Sequence, residues 1–480
     1  MANNAPKDVL ASRYASQAMV DIWSTERYVR YERQLWIAAM RVQKTYGLDI
    51  PDDALRAYGA VRDHVDLASI DARERKLRHD VKARIEEFNY LASEKLGRMV
   101  EYVHQGFTSR DIGDNVEQMR ILDALKLVRN RSVAVLGRFA EAAHQYALLD
   151  ICARTHNVPA QTTTLGKRFA TLAEEMLIAF KHTECVLENY PMRGIKGPVG
   201  TQQDMSDLLG NPNKACDFEE DLGGEMGWPQ LLGSVGQVYP RSLDFEVVSA
   251  LTQLASAPAN FAKMVRLAAG HELMHEGFGK DQTGSSAMPH KMNSRTCERI
   301  NGLLHVLGGH LHMVQGLLGD QWYEGDVSCS VVRRVALQGA FMALDGIYES
   351  TLTVLKEMEI FPGMIERELL EYLPFLSTTR ILMAAVQKGV GRETAHRIIK
   401  KAALETIEEK RVGMNIRNSF QGKLILADSE LKLSSEEIEK LTREPEHGLA
   451  PQQVDGLCRR VGMITKKYPE GAAYTPGSIL

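Results

Sequence analysis

The chain has 480 residues, of which 44% are hydrophobic and 25% charged, and its formal net charge is −4. This length allows a large buried core and two or three domains. The mildly acidic balance argues against a nucleic-acid binder that depends on bulk positive charge, although a local basic pocket remains compatible with it. Six scattered cysteines without a CxxC pair are typical of reduced thiols. Residues 1–9 show no apolar secretory segment, so we expect a soluble, cytoplasmic protein.

The positions of proline predict long helices. No proline occurs between Pro51 and Pro159, or between Pro289 and Pro362, which leaves room for helices much longer than the average of about 11–12 residues. Strand-like alternation is scarce, and no glycine-rich phosphate loop is present. In the first proline-free stretch, apolar residues recur mostly at steps of three and four and trace one helical stripe: Val116, Met119, Leu122, Leu125, Val128, Leu136, Phe139, Ala143 and Tyr146.

These patterns predict an all-α fold with a central bundle of long helices. We expect an N-terminal helical domain (1–107), a central long-helix domain (108–361) and a C-terminal helical domain (362–480). Residues 300–319 contain no Asp, Glu, Lys or Arg, but their histidines and glycines favour a helix buried on all sides by other helices over a membrane span. Since one bundle of this size cannot bury every apolar stripe, we expect a symmetric homo-oligomer.

Four polar clusters lie along the chain, and each has a structural explanation beside a catalytic one. Residues 75–80 could be a solvated helix face, and residues 104–109 a helix end followed by an N-cap. Residues 154–164 predict a polar turn that opens a new helix, and residues 324–334 could be surface charge. Together the clusters offer histidines for proton transfer, hydroxyls and amides for orientation, and arginines for anionic oxygens.

A small, polar loop, Gly284–Asn293, lies between two strongly helical segments and reads GSSAMPHKMN. Pro289 breaks any helix, and Lys291 provides a cation that can swing over a bound anion. Composition alone would fit an ordinary connector as well as a lid that excludes water. The pattern G-S-S-x-M-P-x-K-x-N, however, resembles the signature loop of the fumarase/aspartase superfamily, whose members eliminate fumarate from substituted succinates. The HxGxTS stretch at 104–109 and the TH…AQ…TT stretch at 155–164 occur in the order of that superfamily's site segments.

Within the superfamily, the chain most resembles the adenylosuccinate lyase family over nearly its whole length. The resemblance rests on residues 11–16 (ASRYAS), 78–81 (RHDV) and 234–241 (SVGQVYPR), and on the Met-Pro-His-Lys form of the loop 281–294. It implies a cofactor-free carbon–nitrogen lyase that releases fumarate from adenylosuccinate, giving AMP, and from succinylaminoimidazole carboxamide ribotide, giving AICAR. It also implies a homotetramer whose active sites combine different subunits, with no nucleic acid, membrane or metal as partner.

The resemblance assigns a role to each matching residue. His156 would be the general acid that protonates the leaving nitrogen, and Ser285 the base that takes the proton from the succinyl Cβ. Lys291 and Asn293 would stabilise the doubly charged carboxylate intermediate, while His79 and His104 would position the substrate and tune the acid. The other implied substrate-binding residues are Arg13, Tyr14, Arg78, Asp80, Thr108, Ser109, Thr155, Gln237, Arg299, Ser330 and Arg334.

Two departures from the family pattern concern single positions. The family usually has Gln two residues after the acidic His, where this chain has Val158. Many members have Glu-Arg-Asp where this chain has Glu324-Gly325-Asp326, so an arginine expected near the phosphate is missing. Arg333 or Arg334 could replace it.

Three other interpretations compete with this one. Residues 271–275 spell H-E-x-x-H, the helical motif of zinc hydrolases, in which two histidines share one face and Glu298 could be a third ligand. Another fumarate-releasing chemistry, such as argininosuccinate lyase, fumarase or aspartase, would keep the fold and change the substrate. A catalytically silent helical scaffold would keep the fold alone, but it would not need His156, Ser285 and Lys291 together.

Overall fold

The structure is a computed structural model that describes residues 8–279, 284–414, 416 and 418–477. The described residues form 22 helices and 6 short strands, and the predicted all-α architecture is confirmed. The first part of the chain contains α1 (Val9–Arg13), α2 (Gln17–Trp23), α3 (Thr25–Thr45), α4 (Asp52–Val61), α5 (Leu67–Leu77) and α6 (Asp80–Leu96).

The middle of the chain holds the longest helices. Its elements are α7 (Ser109–Gln145), β1 (Asp150–Thr155), β2 (Val158–Thr164), α8 (Leu165–Glu188), β3 (Pro191–Met192), α9 (Gln203–Leu209), α10 (Pro212–Met226), β4 (Gln230–Leu231), α11 (Ser242–Leu254), α12 (Ser256–Gly270), β5 (Met274–His275), α13 (Arg295–Gln315), α14 (Cys329–Glu357) and β6 (Glu359–Ile360). The last part contains α15 (Pro362–Leu376), α16 (Thr378–Gln387), α17 (Arg392–Arg411), α18 (Ser419–Ile425), α19 (Asp428–Leu431), α20 (Ser435–Arg443), α21 (Ala450–Lys467) and α22 (Pro469–Ala472).

Helix α7 is the axis of the bundle. Its 37 residues rise about 55 Å, and its start is fixed by a capping box in which the backbone N–H of Thr108 donates to Asp111 over 2.7 Å. The predicted apolar stripe is confirmed, since it is buried from Val116 to Ala143. The core continues through aromatic contacts, with ring centroids 5.5 Å apart for Phe139 and Phe261. Burying this stripe is what holds α7 against α8, α14 and α21.

The C-terminal part has a hydrophobic cluster of its own. It is built from α16, α17, α18 and α20 around side chains that include Ile381, Ile399, Phe420, Leu424 and Ile438. Helix α21 instead packs against α7 and α8, and its apolar face belongs to the main core. The division into three domains at 107/108 and 361/362 stays a prediction.

Residues 154–164 differ from the expectation of a polar turn that opens a helix. They belong to an antiparallel hairpin in which β1 pairs with β2, with a bulge between Ala153 and Arg154. The two turn residues, His156 and Asn157, have φ of 52° and 63°, which suits a two-residue hairpin turn with left-handed central residues. Helix α8 starts only after the strand, where Thr164 caps it. The β-branched residues that precede α8 therefore form a strand and project His156 at a tip.

Helix α13 corrects a second expectation, because within one chain it is not buried on all sides. It buries one stripe, which includes Ile300, Leu303 and Leu307, against its neighbours. On the other face, the side chains of Val306 and Met313 are 40% and 44% exposed. From residue 300 onward this open face carries no Asp, Glu, Lys or Arg, which is typical of a subunit contact.

One stretch among the described residues, 362–387, is long and apolar enough to cross a membrane by length and composition alone. It consists of α15 and α16, which are separate helices that meet at Ser377. Core helices of globular proteins pass the same test, and Ile365, Leu373 and Ile381 of this stretch are buried. We therefore interpret the stretch as part of the packed fold.

Candidate active site

Most of the implied substrate-binding residues gather where helices α6, α7 and α14 begin. We call this group the helix-start cluster. A guanidinium nitrogen of Arg334, at the start of α14, lies 4.0 Å from the Asp80 carboxylate at the start of α6. Arg110, in the first turn of α7, donates to Ser330 Oγ over 2.8 Å. The cluster consists of Arg78, His79, Asp80, His104, Thr108, Ser109, Gln237, Ser330 and Arg334, with Arg110 beside them.

The two histidines of this cluster are held through their Nδ1 atoms. His79 is the N-cap of α6, and its Nδ1 accepts from the backbone N–H of Lys82 over 3.3 Å. His104 Nδ1 accepts from the indole N–H of Trp36 over 3.2 Å. In its neutral form, each ring therefore carries its proton on Nε2. Burial, together with nearby His79 and Lys82, lowers the pKa of His104 to about 4, so this imidazole is neutral at physiological pH.

This environment predicts how stability depends on pH. The unfolded chain takes up a proton on His104 near pH 6.5, and the folded chain only near 4. The stability that neutral His104 contributes is therefore complete above pH 6.5 and is lost as the pH falls through 4. We expect the melting temperature of the wild type to fall more steeply from pH 7 to 4 than that of a His104→Gln variant. A His144→Gln variant, which changes an exposed histidine, should keep the wild-type slope. Equal slopes for wild type and His104→Gln would contradict the neutral imidazole.

Asp80 is oriented by a buried guanidinium that sequence reasoning missed. Arg84 donates to Asp80 over 3.0 Å and lies 2.6 Å from the fully buried Glu32. Burial raises the pKa of Glu32 to about 7. Burial acts in the same direction on Asp80, but Arg84 outweighs it and lowers the pKa of that carboxyl. Asp80 is therefore an ionised, fixed acceptor one residue from His79.

A second missed set of residues fixes the start of α7. One carboxylate oxygen of Asp111 accepts from the guanidinium of Arg193, and from the backbone N–H groups of Lys196 and Gly197 over 2.9 and 3.0 Å. The other oxygen closes the capping box on Thr108. The spacing Thr108-x-x-Asp111 is a sequence signal for such a cap. These bonds fix the backbone that carries the Thr108 and Ser109 side chains.

Beneath the cluster lies a buried network of charges centred on Asp114. Arg241 donates to both carboxylate oxygens of Asp114, over 3.1 and 3.3 Å. Arg333 is fully buried and donates to Asp244 over 2.7 Å, and also to Glu117 and to the Tyr239 hydroxyl. The guanidinium groups of Arg241, Arg333 and Arg110 outweigh burial and lower the pKa of Asp114. Arg333 is thus committed to the core, which corrects the expectation that it could bind phosphate.

Gln237 reaches the cluster through backbone contacts. Its N–H donates to the carbonyl oxygen of Glu324 over 2.7 Å, and the N–H of Tyr239 donates to Asp114 over 3.2 Å. The segment 234–241 is therefore tied to both the start of α14 and the first turns of α7. Gln237 therefore lies between the first turns of α7 and the loop that precedes α14.

The signature loop is described from Gly284 onward, and residues 281–283 lie outside the described residues. Ser285 Oγ accepts from the backbone N–H groups of Met288 and Ala287, over 3.2 and 3.4 Å. The Asn293 amide donates to the carbonyl oxygen of Gly284 over 3.0 Å, which joins the two ends of the loop. Lys291 and Asn293 line an open cleft of about 1020 Å³ that also contains Lys263 and Arg266.

Arg13, Tyr14 and Arg299 lie with the loop end of the molecule. The guanidinium of Arg299, in the second turn of α13, lies 5.6 Å from the centre of the Tyr14 ring. Ser16, the last residue of the segment 11–16, donates its backbone N–H to buried Asp345 over 2.6 Å. Two residues implied by separate motifs, Tyr14 and Arg299, are therefore brought together.

Thr155 and His156 occupy the hairpin tip. The hairpin is held from the side by Arg154, which donates to Glu368 of α15 over 2.5 Å and to the carbonyl oxygen of Asn157 over 3.2 Å. His156 is exposed. The tip is thus held from one side by Arg154, and it leaves the imidazole of His156 exposed.

One chain does not bring all of these residues together. Arg334 lies near the start of α14, whereas Glu357 at its end packs against Gly277, just before the loop. The intervening 23 residues of helix rise about 35 Å. The helix-start cluster and Ser285 therefore lie at opposite ends of α14.

The H-E-x-x-H sequence does not form the helix that a zinc hydrolase needs. Helix α12 ends at Gly270, and Glu272 has a φ of 60°. His275 lies in strand β5, where its Nδ1 accepts from the N–H of Gly277 over 3.1 Å. His271 Nδ1 is 3.7 Å from Glu368 instead. The two histidines do not share a helical face, so the zinc alternative is not favoured.

Comparisons with known proteins give a consistent family. Residues 4–309 match the family model described as Lyase, and residues 374–457 match the one described as Adenylosuccinate lyase C-terminus. The chain is 31% identical to the adenylosuccinate lyase of Saccharomyces cerevisiae over 462 residues, covering 94% of this chain and 93% of the yeast protein. It is 32% identical to that of Schistosoma mansoni over 427 residues, covering 87% of each chain.

Solved structures support the fold. The 3-carboxy-cis,cis-muconate lactonizing enzyme from Pseudomonas putida superposes with a TM-score of 0.81 at 18% identity, covering 96% of this chain and 100% of that one. The fumarate lyase from Mesorhizobium sp. BNC1 superposes with a TM-score of 0.78 at 19% identity, covering 93% and 98%. The predicted fumarase/aspartase-like fold is confirmed. The long helices, the sequence of the signature loop and these matches show that the chain belongs to the adenylosuccinate lyase family.

Proposed function

We propose that this chain cleaves adenylosuccinate to AMP and fumarate, and succinylaminoimidazole carboxamide ribotide to AICAR and fumarate. The observation that carries the proposal is the environment of Ser285 in the signature loop. Two backbone N–H groups point at its Oγ, over 3.2 and 3.4 Å. Donors of this kind stabilise an oxyanion, which is the form of serine that can act as a base. The relatives named adenylosuccinate lyase favour this substrate over those of other fumarate-releasing enzymes.

The reaction is an elimination in which one proton is removed and another supplied. Once the Ser285 hydroxyl has lost its proton to solvent, the alkoxide takes the proton from the succinyl Cβ, and the electron pair passes into the adjacent carboxylate. The ammonium of Lys291 and the amide of Asn293 stabilise the resulting dianion. The C–N bond then breaks, and protonated His156 donates its proton to the leaving nitrogen.

The helix-start cluster binds the substrate in this proposal. Neutral His104, with its proton on Nε2, can donate a hydrogen bond without adding a charge. Ionised Asp80 accepts a hydrogen bond, and Arg334, whose side chain is 72% exposed, pairs with an anionic group. His79 and His104 act as positioning residues.

Each active site should combine several subunits of a homotetramer. Two observations support this part of the proposal. The helix-start cluster and Ser285 lie near opposite ends of α14, whose residues from Arg334 to Glu357 rise about 35 Å. The outer face of α13, which carries no Asp, Glu, Lys or Arg from residue 300 onward, is left open by a single chain. Neighbouring copies that cover this face would bring one chain's loop and another's hairpin to a third chain's cluster.

We also propose that the protein acts in the cytoplasm, because its six cysteines are free thiols, as is usual in a reducing compartment.

The decisive experiment measures fumarate release by the purified protein, with and without EDTA. Adenylosuccinate, argininosuccinate, malate and aspartate are supplied separately. We expect rapid release from adenylosuccinate alone, unchanged by the chelator. Turnover of another substrate without adenylosuccinate would move the assignment within the superfamily, and loss of activity in EDTA would contradict a cofactor-free mechanism.

A further inference from the structure

The missing arginine at position 325 leaves a question about how the nucleotide phosphate is held. Gly325 has a φ of 137°, a backbone conformation that side chains rarely adopt. A Cβ atom at this position would lie 2.8 Å from Cγ2 of Val238. The local backbone therefore excludes an arginine here, and another residue must supply the cation.

Arg333 and Arg334 differ in what they can offer. Arg333 is fully buried, and its guanidinium is occupied by acidic groups of the core. The side chain of Arg334 is 72% exposed, and one of its guanidinium nitrogens lies 4.0 Å from the Asp80 carboxylate. A phosphate dianion usually accepts hydrogen bonds from several donors, so one exposed arginine is not enough to hold it.

Arg110 is placed to be the second cation. Its Nη2 donates to Ser330 Oγ over 2.8 Å, so it already touches a residue implied in substrate binding. It also approaches Asp114 to 3.4 Å, which is longer than either bond that Arg241 makes to the same carboxylate. Asp114 is thus neutralised by Arg241 without Arg110. The side chain of Arg110 remains 17% exposed.

The surroundings also favour an anion. Arg110 lies in the first turn of the 37-residue helix α7, and Ser330 in the first turn of the 29-residue helix α14. Helix N-termini carry partial positive charge and unpaired N–H groups. Arg334 lies four residues after Ser330 and so shares its face of α14. Because Ser330 Oγ accepts from Arg110, its own proton can be donated to a phosphate oxygen.

We propose that Arg110, together with Ser330 and Arg334, forms the subsite for the monoester phosphate of the nucleotide, and that Arg110 replaces the arginine that Gly325 excludes. This inference rests on the proposed function for the identity of the ligand. The subsite lies entirely within one chain. Arg110 therefore contributes to substrate specificity by distinguishing nucleotides from nucleosides.

The test compares ligands that differ only in the phosphate. Binding of AMP and of adenosine is measured by calorimetry for the wild type and for Arg110→Gln, Arg110→Lys and Arg459→Gln. Loss of a charge-assisted contact should weaken AMP binding to Arg110→Gln by about 10- to 100-fold and leave adenosine binding unchanged. Arg110→Lys should recover part of the loss. Arg459→Gln, which removes an exposed arginine of α21, should bind both ligands as the wild type does.

Each outcome is decisive for Arg110. An equal loss for AMP and adenosine would show a structural role, and unchanged AMP binding would place the phosphate elsewhere. If adenosine binds too weakly to measure, the comparison rests on AMP alone. In that case, equal AMP affinities for Arg110→Lys and Arg110→Gln would overturn the proposal. Turnover of adenylosuccinate by the wild type is measured separately, so that failure of the proposed reaction is distinguishable from failure of the phosphate subsite.

Discussion

Replacing Ser285 by alanine is expected to lower kcat for adenylosuccinate by about 10²- to 10⁴-fold, the range that a positioned proton-transfer group contributes. The substitution removes Ser285 Oγ, the proposed base, to which two backbone N–H groups of the loop donate. Ser285 is half-buried in a surface loop, so the loss of its hydroxyl should leave the fold intact. Replacing His156, which stands at the exposed hairpin tip, should cost a similar factor.

The loop supplies a matched control for this prediction. Ser286 is the next residue, is exposed, and carries the same hydroxyl. A Ser286→Ala variant should keep most of the wild-type turnover. Steady-state fumarate release, with thermal unfolding and gel filtration for each variant, separates loss of chemistry from loss of structure. Near-wild-type turnover in Ser285→Ala, or an equal loss in Ser286→Ala, would remove Ser285 from the role of base.

Helix patterning was the most predictable part of the molecule. The stripe from Val116 to Ala143 follows from spacing alone, and it is buried in α7. The hairpin was not predicted, because His156-Asn157 is not one of the glycine-containing dipeptides that usually mark a two-residue turn. The open face of α13 could not be predicted either, since a sequence does not distinguish burial within a chain from burial between chains.

The candidate site also has a part that sequence patterns predict and a part that they do not. Motifs identified residues that touch substrate in the family, but not the residues that hold them, such as Asp111, Arg84 and Trp36. Those act through hydrogen bonds between segments distant in sequence, to which no local pattern points. The neighbours Arg333 and Arg334 are a partial exception. Ala336 and Leu337 are buried at the following turn, and this helix phase would have placed Arg333 inside.

Mixing two inactive variants is expected to restore activity if the sites are shared between subunits. Ser285→Ala and His156→Ala chains are combined in equal amounts, dissociated and reassembled at random. A site that takes its loop and its hairpin from different chains then has both residues intact in about one quarter of cases, so about 25% of wild-type activity should return. If both residues came from one chain, every site would lack one of them and no activity would return.

The loop again provides the matched control. Ser285→Ala and Lys291→Ala alter the same loop, which Asn293 closes on itself through Gly284. A site that receives both residues from one chain stays inactive in every hybrid, so this pair should show no recovery. A mixture of Ser285→Ala and His79→Ala chains should recover activity. His79 lies near the start of the 29-residue helix α14 and the loop lies near its end, so one site must take them from different chains. The shared arrangement predicts recovery only for pairs whose two residues come from different chains. Recovery in all three mixtures, or in none, would therefore contradict it.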